Sequence, residues 1–79
     1  MNRVKQIIDS WDPMGLLSHA PNDEYNSEIN QIEELLKFTN NVNEVSNGIW
    51  KIFINAFGEE NFKKSKLECK QIAYLLLSM

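Results

Sequence analysis

Acidic, aromatic and imidazole side chains are concentrated in one irregular stretch near the amino terminus, Trp11–Tyr25. Its side chains with chemical potential are Asp12, His19, Asp23, Glu24 and Tyr25. The His19 imidazole could exchange a proton with a neighbouring carboxylate, because histidine titrates near neutral pH. Such chemistry requires the imidazole and the carboxylates to converge on a pocket. The alternative is a histidine that is exposed to solvent or that holds the loop in place.

The same stretch also suits contact with another protein. Aromatic side chains supply the anchors of many interfaces, and acidic surfaces select basic partners. We therefore expect a non-catalytic interaction or regulatory domain with a basic partner, whose candidate partner-binding residues are Asp12, His19, Asp23, Glu24 and Tyr25. The alternative is a small-molecule-binding domain or minor enzyme with a site around Asp12, His19, Asp23 and Tyr25.

A purely architectural role explains several of these residues as well. Asp12 before Pro13 is suited to cap a turn, and Asp23 or Asn26 is suited to cap the helix that follows. Trp11 and Tyr25 would then fill the core. The isomer of the Ala20–Pro21 bond is left open by the sequence.

The sequence lacks the residue patterns of other kinds of chemical site. The three glycines are too far apart for a phosphate-binding loop. Zinc sites need several ligands, whereas Cys69 and His19 are each the single residue of their type. The acids do not follow the spacing of a calcium-binding EF-hand loop. We therefore predict no metal, no cofactor and no catalytic residue.

Charge is unevenly distributed along the 79 residues, whose formal net charge is −3. Residues 1–34 carry two cations against seven anions, a balance of −5, and residues 35–79 carry six against four, a balance of +2. An acidic front half repels nucleic acid and attracts basic proteins. The unbroken apolar run Ala73–Leu77 is too short to span a membrane. With one cysteine and no recognisable signal sequence, the chain is expected in the cytoplasm, away from membranes.

Apolar side chains recur at helical spacing along most of the chain. Val4, Ile7, Ile8 and Trp11 form one stripe, and similar stripes predict four helices over about residues 2–10, 23–39, 42–57 and 66–78. In the second helix Phe38 extends the apolar face. The inner face of the fourth helix comprises Cys69, Ile72, Ala73 and Leu76.

Local signals mark several helix ends. Ser65 and Glu68 have the spacing of a capping box, as do Asn41 and Glu44. Gly58 is placed to end the third helix, and Gly48 within it indicates close packing against another helix.

The fold predicted from these patterns is all-α. It is a single domain, a small compact bundle of about four helices with an ordered loop between helices 1 and 2. We expect a monomer or a weak homodimer formed through helix 3 or helix 4.

Four pieces of the chain are similar to a known bacterial family. They are Trp11-Asp12-Pro13-x-Gly15-Leu16-Leu17, Ala20-Pro21-x-Asp23-Glu24-Tyr25-x-x-Glu28-Ile29, Phe57-Gly58-Glu59-Glu60 and Ser65-x-x-Glu68-Cys69. The chain resembles, over nearly its whole length, the family called domain of unknown function 1871. The resemblance implies an all-helical fold and a spore-forming Gram-positive source, and it brings no activity, cofactor or catalytic residue. Asn26 stands where the family commonly has an acid, which weakens a charge-based role there.

Overall fold

Four α-helices form the described part of the chain. The computed structural model describes residues 3–15 and 25–78. The helices are α1 (Arg3–Trp11), α2 (Asn26–Phe38), α3 (Val42–Phe57) and α4 (Lys66–Leu77). The residues in these two ranges contain no β-strand, which confirms the predicted all-α class. None of the helices found there has the length and apolar character needed to cross a membrane.

Each helix packs against two others. The helix α1 contacts α2 and α4, and α3 contacts the same two helices. Among residues 3–15 and 25–78, thirteen hydrophobic side chains from all four helices and their connections are buried in the core: Val4, Ile8, Tyr25, Ile29, Ile32, Val45, Ile49, Phe53, Phe62, Cys69, Ile72, Ala73 and Leu76. The inner face predicted for α4 is therefore confirmed residue for residue.

The helix ends in the carboxyl half follow the local signals. The Asn41 side chain accepts hydrogen bonds from the amides of Asn43 and Glu44, and Ser65 Oγ accepts one from the Glu68 amide. Gly58 follows α3 at φ 88°, a left-handed conformation that costs glycine little. These three end signals are therefore confirmed.

Gly48 lies where α3 passes close to α2. A methyl group at this position would overlap the Leu35 side chain of α2. Glycine thus permits the close packing of two helices that its position inside an apolar helix had indicated.

The amino-terminal helices differ from expectation at their ends. The helix α1 continues through Trp11 rather than stopping at Ser10, because the Asp12 amide still donates to the Ile8 carbonyl at 2.9 Å. Asn26 is the first residue of α2 and not its cap, and the residue before it, Tyr25, makes no side-chain cap. The other predicted cap, Asp23, lies outside the described residues.

The prediction that Phe38 extends the apolar face of α2 is wrong. Its side chain is 85% exposed at the last position of the helix. Phe38 follows Leu36 by two residues, a rotation of about 200° around a helix with 3.6 residues per turn. It therefore points away from the face that Leu36 presents to the core.

Candidate functional site

Two of the predicted site residues, Asp12 and Tyr25, contact each other directly. The Tyr25 hydroxyl donates to Asp12 Oδ1 at 2.6 Å and accepts from the Met14 amide at 3.0 Å. The Tyr25 side chain is fully buried. The hydroxyl thus joins the two ends of the acidic segment, residues 12–25, from within the core.

The backbone of Asp12 has a conformation that is uncommon outside glycine. Its φ is 43°, in the left-handed region that aspartate tolerates better than most residues. A turn follows, in which the Gly15 amide donates to the Asp12 carbonyl at 3.1 Å and Gly15 itself has φ 66°. The turn expected after Asp12 is present, and the Asp12 carboxylate accepts a hydrogen bond from Tyr25.

Trp11 connects α1 to α4 just before the acidic segment. Its indole Nε1–H donates to Glu68 Oε2 at 2.6 Å, and Lys64 Nζ lies 3.6 Å from the same oxygen. The Trp11 ring packs edge-on against Phe53 and Phe62, at centroid distances of 5.6 and 6.2 Å. Trp11 thus contributes to the core as expected, while its polar edge remains at the surface.

Phe53 of α3 is the centre of an aromatic cluster that holds both ends of the acidic segment. Phe57 and Phe62 stack on it at 6.0 and 5.2 Å, and Tyr25 meets it edge-on at 6.0 Å. Such ring pairs contribute about 0.5–1.5 kcal/mol each beyond the area that they bury. The cluster therefore couples Trp11 and Tyr25 through a shared neighbour.

The remaining site predictions fall elsewhere in the chain. His19, Asp23, Glu24 and the Ala20–Pro21 bond lie outside the described residues. Within ranges 3–15 and 25–78, no three histidine, cysteine, aspartate or glutamate side chains are grouped as a metal site would require. The partner-binding role of the five candidate residues stays a prediction.

Two contacts were missed by sequence reasoning. Glu68 was assigned to a capping box, but its carboxylate binds the Trp11 indole, 57 residues away. Phe53 is one of several apolar residues on α3, and no local pattern marks it as the centre of the ring cluster. The motifs shared with the family contain the aromatic residues Trp11 and Tyr25 and the acids Asp12 and Glu68. Their occurrence together was the one sequence feature that hinted at these contacts.

Cys69 is a packing residue on the inner face of α4. The side chain is fully buried, and burial raises the pKa of its thiol to about 11, with a smaller contribution from the neighbouring Glu68 carboxylate. A thiol with this pKa is protonated at neutral pH and is a poor nucleophile. Plain packing, as expected from its place on the apolar stripe, accounts for this residue.

A shallow apolar groove of about 380 Å³ separates α1 from α4 at the surface. Its lining residues are Gln6, Ile7, Ser10, Trp11, Ile72 and Leu75. The groove thus begins beside the Trp11–Glu68 contact and continues along both helices.

Comparison with known proteins gives one family. No curated protein and no solved structure shows significant similarity to the chain. The family model described as "Domain of unknown function (DUF1871)" matches residues 3–79. That range includes all four helices, the acidic segment and the residues that fix its ends, and the chain therefore belongs to the DUF1871 family.

Proposed function

We propose that this chain is a non-catalytic protein-interaction or regulatory module of the bacterial cytoplasm, and that its acidic segment contacts a basic protein partner. The observation that supports this most is the Tyr25–Asp12 hydrogen bond. It brings together two residues that stand 13 positions apart, at the two ends of the segment. The segment therefore begins and ends at one hydrogen bond.

Holding the two ends together favours binding on entropic grounds. A segment whose two ends are held together has fewer conformations to lose on binding than one whose ends are free. Since Tyr25 is fully buried, we assign to Asp12 and Tyr25 the role of holding the segment. His19, Asp23 and Glu24 are then the residues that would touch the partner.

Charge supplies the second argument for a basic partner. The balance of −5 over residues 1–34 includes Asp23 and Glu24. Acidic surfaces accelerate association with basic partners and disfavour acidic ones. Salt should therefore weaken the interaction, because surface charges are screened within about 10 Å at 0.1 M ionic strength.

The alternative is a small-molecule site or minor enzyme around Asp12, His19, Asp23 and Tyr25. It would require the Tyr25 hydroxyl to face a ligand. That hydroxyl is buried, donates to Asp12 and accepts from Met14. The interaction function is for this reason the better supported of the two.

The test is an affinity capture from the native cytoplasm with two charge-matched variants. Asp23→Lys/Glu24→Lys reverses two charges in the acidic segment, and Glu59→Lys/Glu60→Lys reverses two exposed charges after α3. The wild type and the second variant should retain the same basic protein in stoichiometric amount, and the first should lose it. Equal retention by both variants, or the absence of a stoichiometric partner, would contradict the proposal.

A further inference from the structure

The outer face of α4 carries an unusual concentration of exposed apolar side chains. Leu67, Tyr74 and Leu75 are 67%, 54% and 55% exposed, and among the described residues Phe38 is the one other large hydrophobic with comparable exposure. Leu67, Gln71, Tyr74 and Leu75 have the spacing i, i+4, i+7 and i+8, which places them on one side of a helix. Single exposed hydrophobics are ordinary, whereas a continuous stripe indicates a contact surface.

We propose that this stripe is the interface of a homodimer, in which α4 packs antiparallel against α4 of a second copy. Dimers with two-fold symmetry bring the same patch of each copy together. Leu67 and Leu75 lie four residues to either side of Gln71. A two-fold axis beside Gln71 therefore places Leu67 of each copy against Tyr74 and Leu75 of the other.

The charges at the two ends of α4 complement each other in this arrangement. Lys63, Lys64 and Lys66 lie at its amino-terminal end, where Lys64 also pairs with Glu68 and Lys66 lies over the Trp50 ring of α3. The last turn of α4 contains no basic residue. The last turn of a helix carries a partial negative charge from its free carbonyl groups. An antiparallel second copy places its lysines beside that turn, which a parallel one would not do.

The size of the surface predicts a weak dimer. The twelve residues of α4 extend over about 18 Å, at a rise of 1.5 Å per residue. A stable interface buries about 800 Å² on each partner, more than one helix face of this length provides. The groove beside Ile7 and Trp11 continues the apolar surface from Leu75. Together they suit a dimer that forms at micromolar or higher concentrations.

The first test is sedimentation equilibrium of the full chain over a concentration series. The wild type should shift from monomer to dimer as the concentration rises. Leu67→Lys and Leu75→Lys should each raise the dissociation constant about tenfold or more, because each removes two apolar contacts from a symmetric interface. Phe38→Lys is the matched control, since it changes an exposed hydrophobic on another helix, and it should leave the dimer unchanged.

The second test locates the symmetry axis and does not depend on destabilising the chain. Gln71→Cys places one thiol of each copy at the axis, within disulfide reach for facing helices. Mild oxidation should give a covalent dimer rapidly, whereas Asn47→Cys on the exposed side of α3 should not. The native Cys69 is buried in both variants.

A wild type that stays monomeric at every concentration would overturn the inference. So would a dimer that Phe38→Lys abolishes and the α4 variants leave intact. Vesicles of anionic phospholipid complete the test: if the monomer binds them and the uncharged variant Leu67→Gln does not, the face serves a membrane surface and the dimer is rejected. These outcomes are independent of the acidic segment, whose variants should dimerise like the wild type.

Discussion

The two halves of the molecule are held together by different kinds of contact. In the carboxyl half, α3 and α4 each begin at a side-chain cap and pack along apolar faces. In the amino half, the buried Tyr25 hydroxyl binds Asp12, and the polar edge of the Trp11 indole binds Glu68 of α4. The helix starts of the carboxyl half therefore follow local sequence rules, whereas the amino half adds a few long-range polar contacts to its apolar packing.

The largest effect should come from the ring that both halves share. Phe53→Ala should destabilise the chain by about 3–5 kcal/mol, because it removes a fully buried ring at the centre of the cluster. A domain of this size has about that much stability in all, so both halves should unfold together. Urea denaturation followed by circular dichroism measures it. The control Phe38→Ala, at an exposed position, should change the free energy of unfolding by less than about 0.5 kcal/mol. A Phe53→Ala chain that retains the carboxyl half would show that the halves are independent.

The second effect concerns the stability of the carboxyl half at alkaline pH. The folded pKa of Cys69 is raised to about 11 from an ordinary value of 9.0, so the unfolded chain loses its proton first. The stability associated with the neutral thiol is fully present below pH 9 and is lost as pH rises through 11, about 3 kcal/mol in total. The measurement is the difference in pH slope between the wild type and Cys69→Ala, because all other ionisable groups are common to both proteins and cancel in the difference. Parallel slopes would mean that the thiol is ionised equally in both states.

A smaller change should act on the amino half alone. Tyr25→Phe removes the hydroxyl that binds Asp12 and the Met14 amide, at a cost of about 1–3 kcal/mol for buried polar groups that lose a partner. Hydrogen exchange at Met14 should accelerate, while the amides of α4 keep their protection relative to the global stability. Tyr74→Phe removes the hydroxyl of an exposed tyrosine and serves as the control. Unaltered exchange at Met14 would disprove the role of the Tyr25 hydroxyl in the amino half.

The smallest expected change concerns the cap of α4. Ser65→Ala removes the acceptor for the Glu68 amide and should cost about 1 kcal/mol. Since Glu68 also accepts from Trp11, nuclear magnetic resonance can show whether the two halves communicate through this residue. A shift of the Trp11 indole proton would mean that loosening the cap reaches α1. An unshifted signal would show that the Trp11–Glu68 hydrogen bond does not change when the cap is lost.

Sequence reasoning succeeded where the cause lies within a few residues. Asn41 and Ser65 act on amides two or three positions away, and Gly58 ends its helix through its own backbone. Phe62 could likewise be recognised as the buried anchor of an otherwise polar connection. Helix spacing alone sufficed to select the buried face of α4.

Prediction failed where tertiary contacts decide the role of a side chain. The choice of Glu68 between its own helix end and Trp11 depends on how α1 docks, which no local pattern encodes. The sequence indicated that Tyr25 could fill the core or bind a partner. Its hydrogen bond to Asp12 could not be predicted, because it requires the chain to fold back on itself. Phe38 shows the converse, since an aromatic residue next to an apolar stripe need not belong to it.

The left-handed backbone of Asp12 has a consequence for how this position tolerates mutation. A replacement must accept the positive φ of 43° and also offer an oxygen to Tyr25, and few residue types meet both demands. Asparagine meets them, because it tolerates the same backbone and retains a carbonyl acceptor. Glycine relaxes the backbone but loses the acceptor, while valine and isoleucine fail on both counts. Saturation mutagenesis should therefore find that few residue types are tolerated at position 12, whereas the exposed position 38 should tolerate most of them.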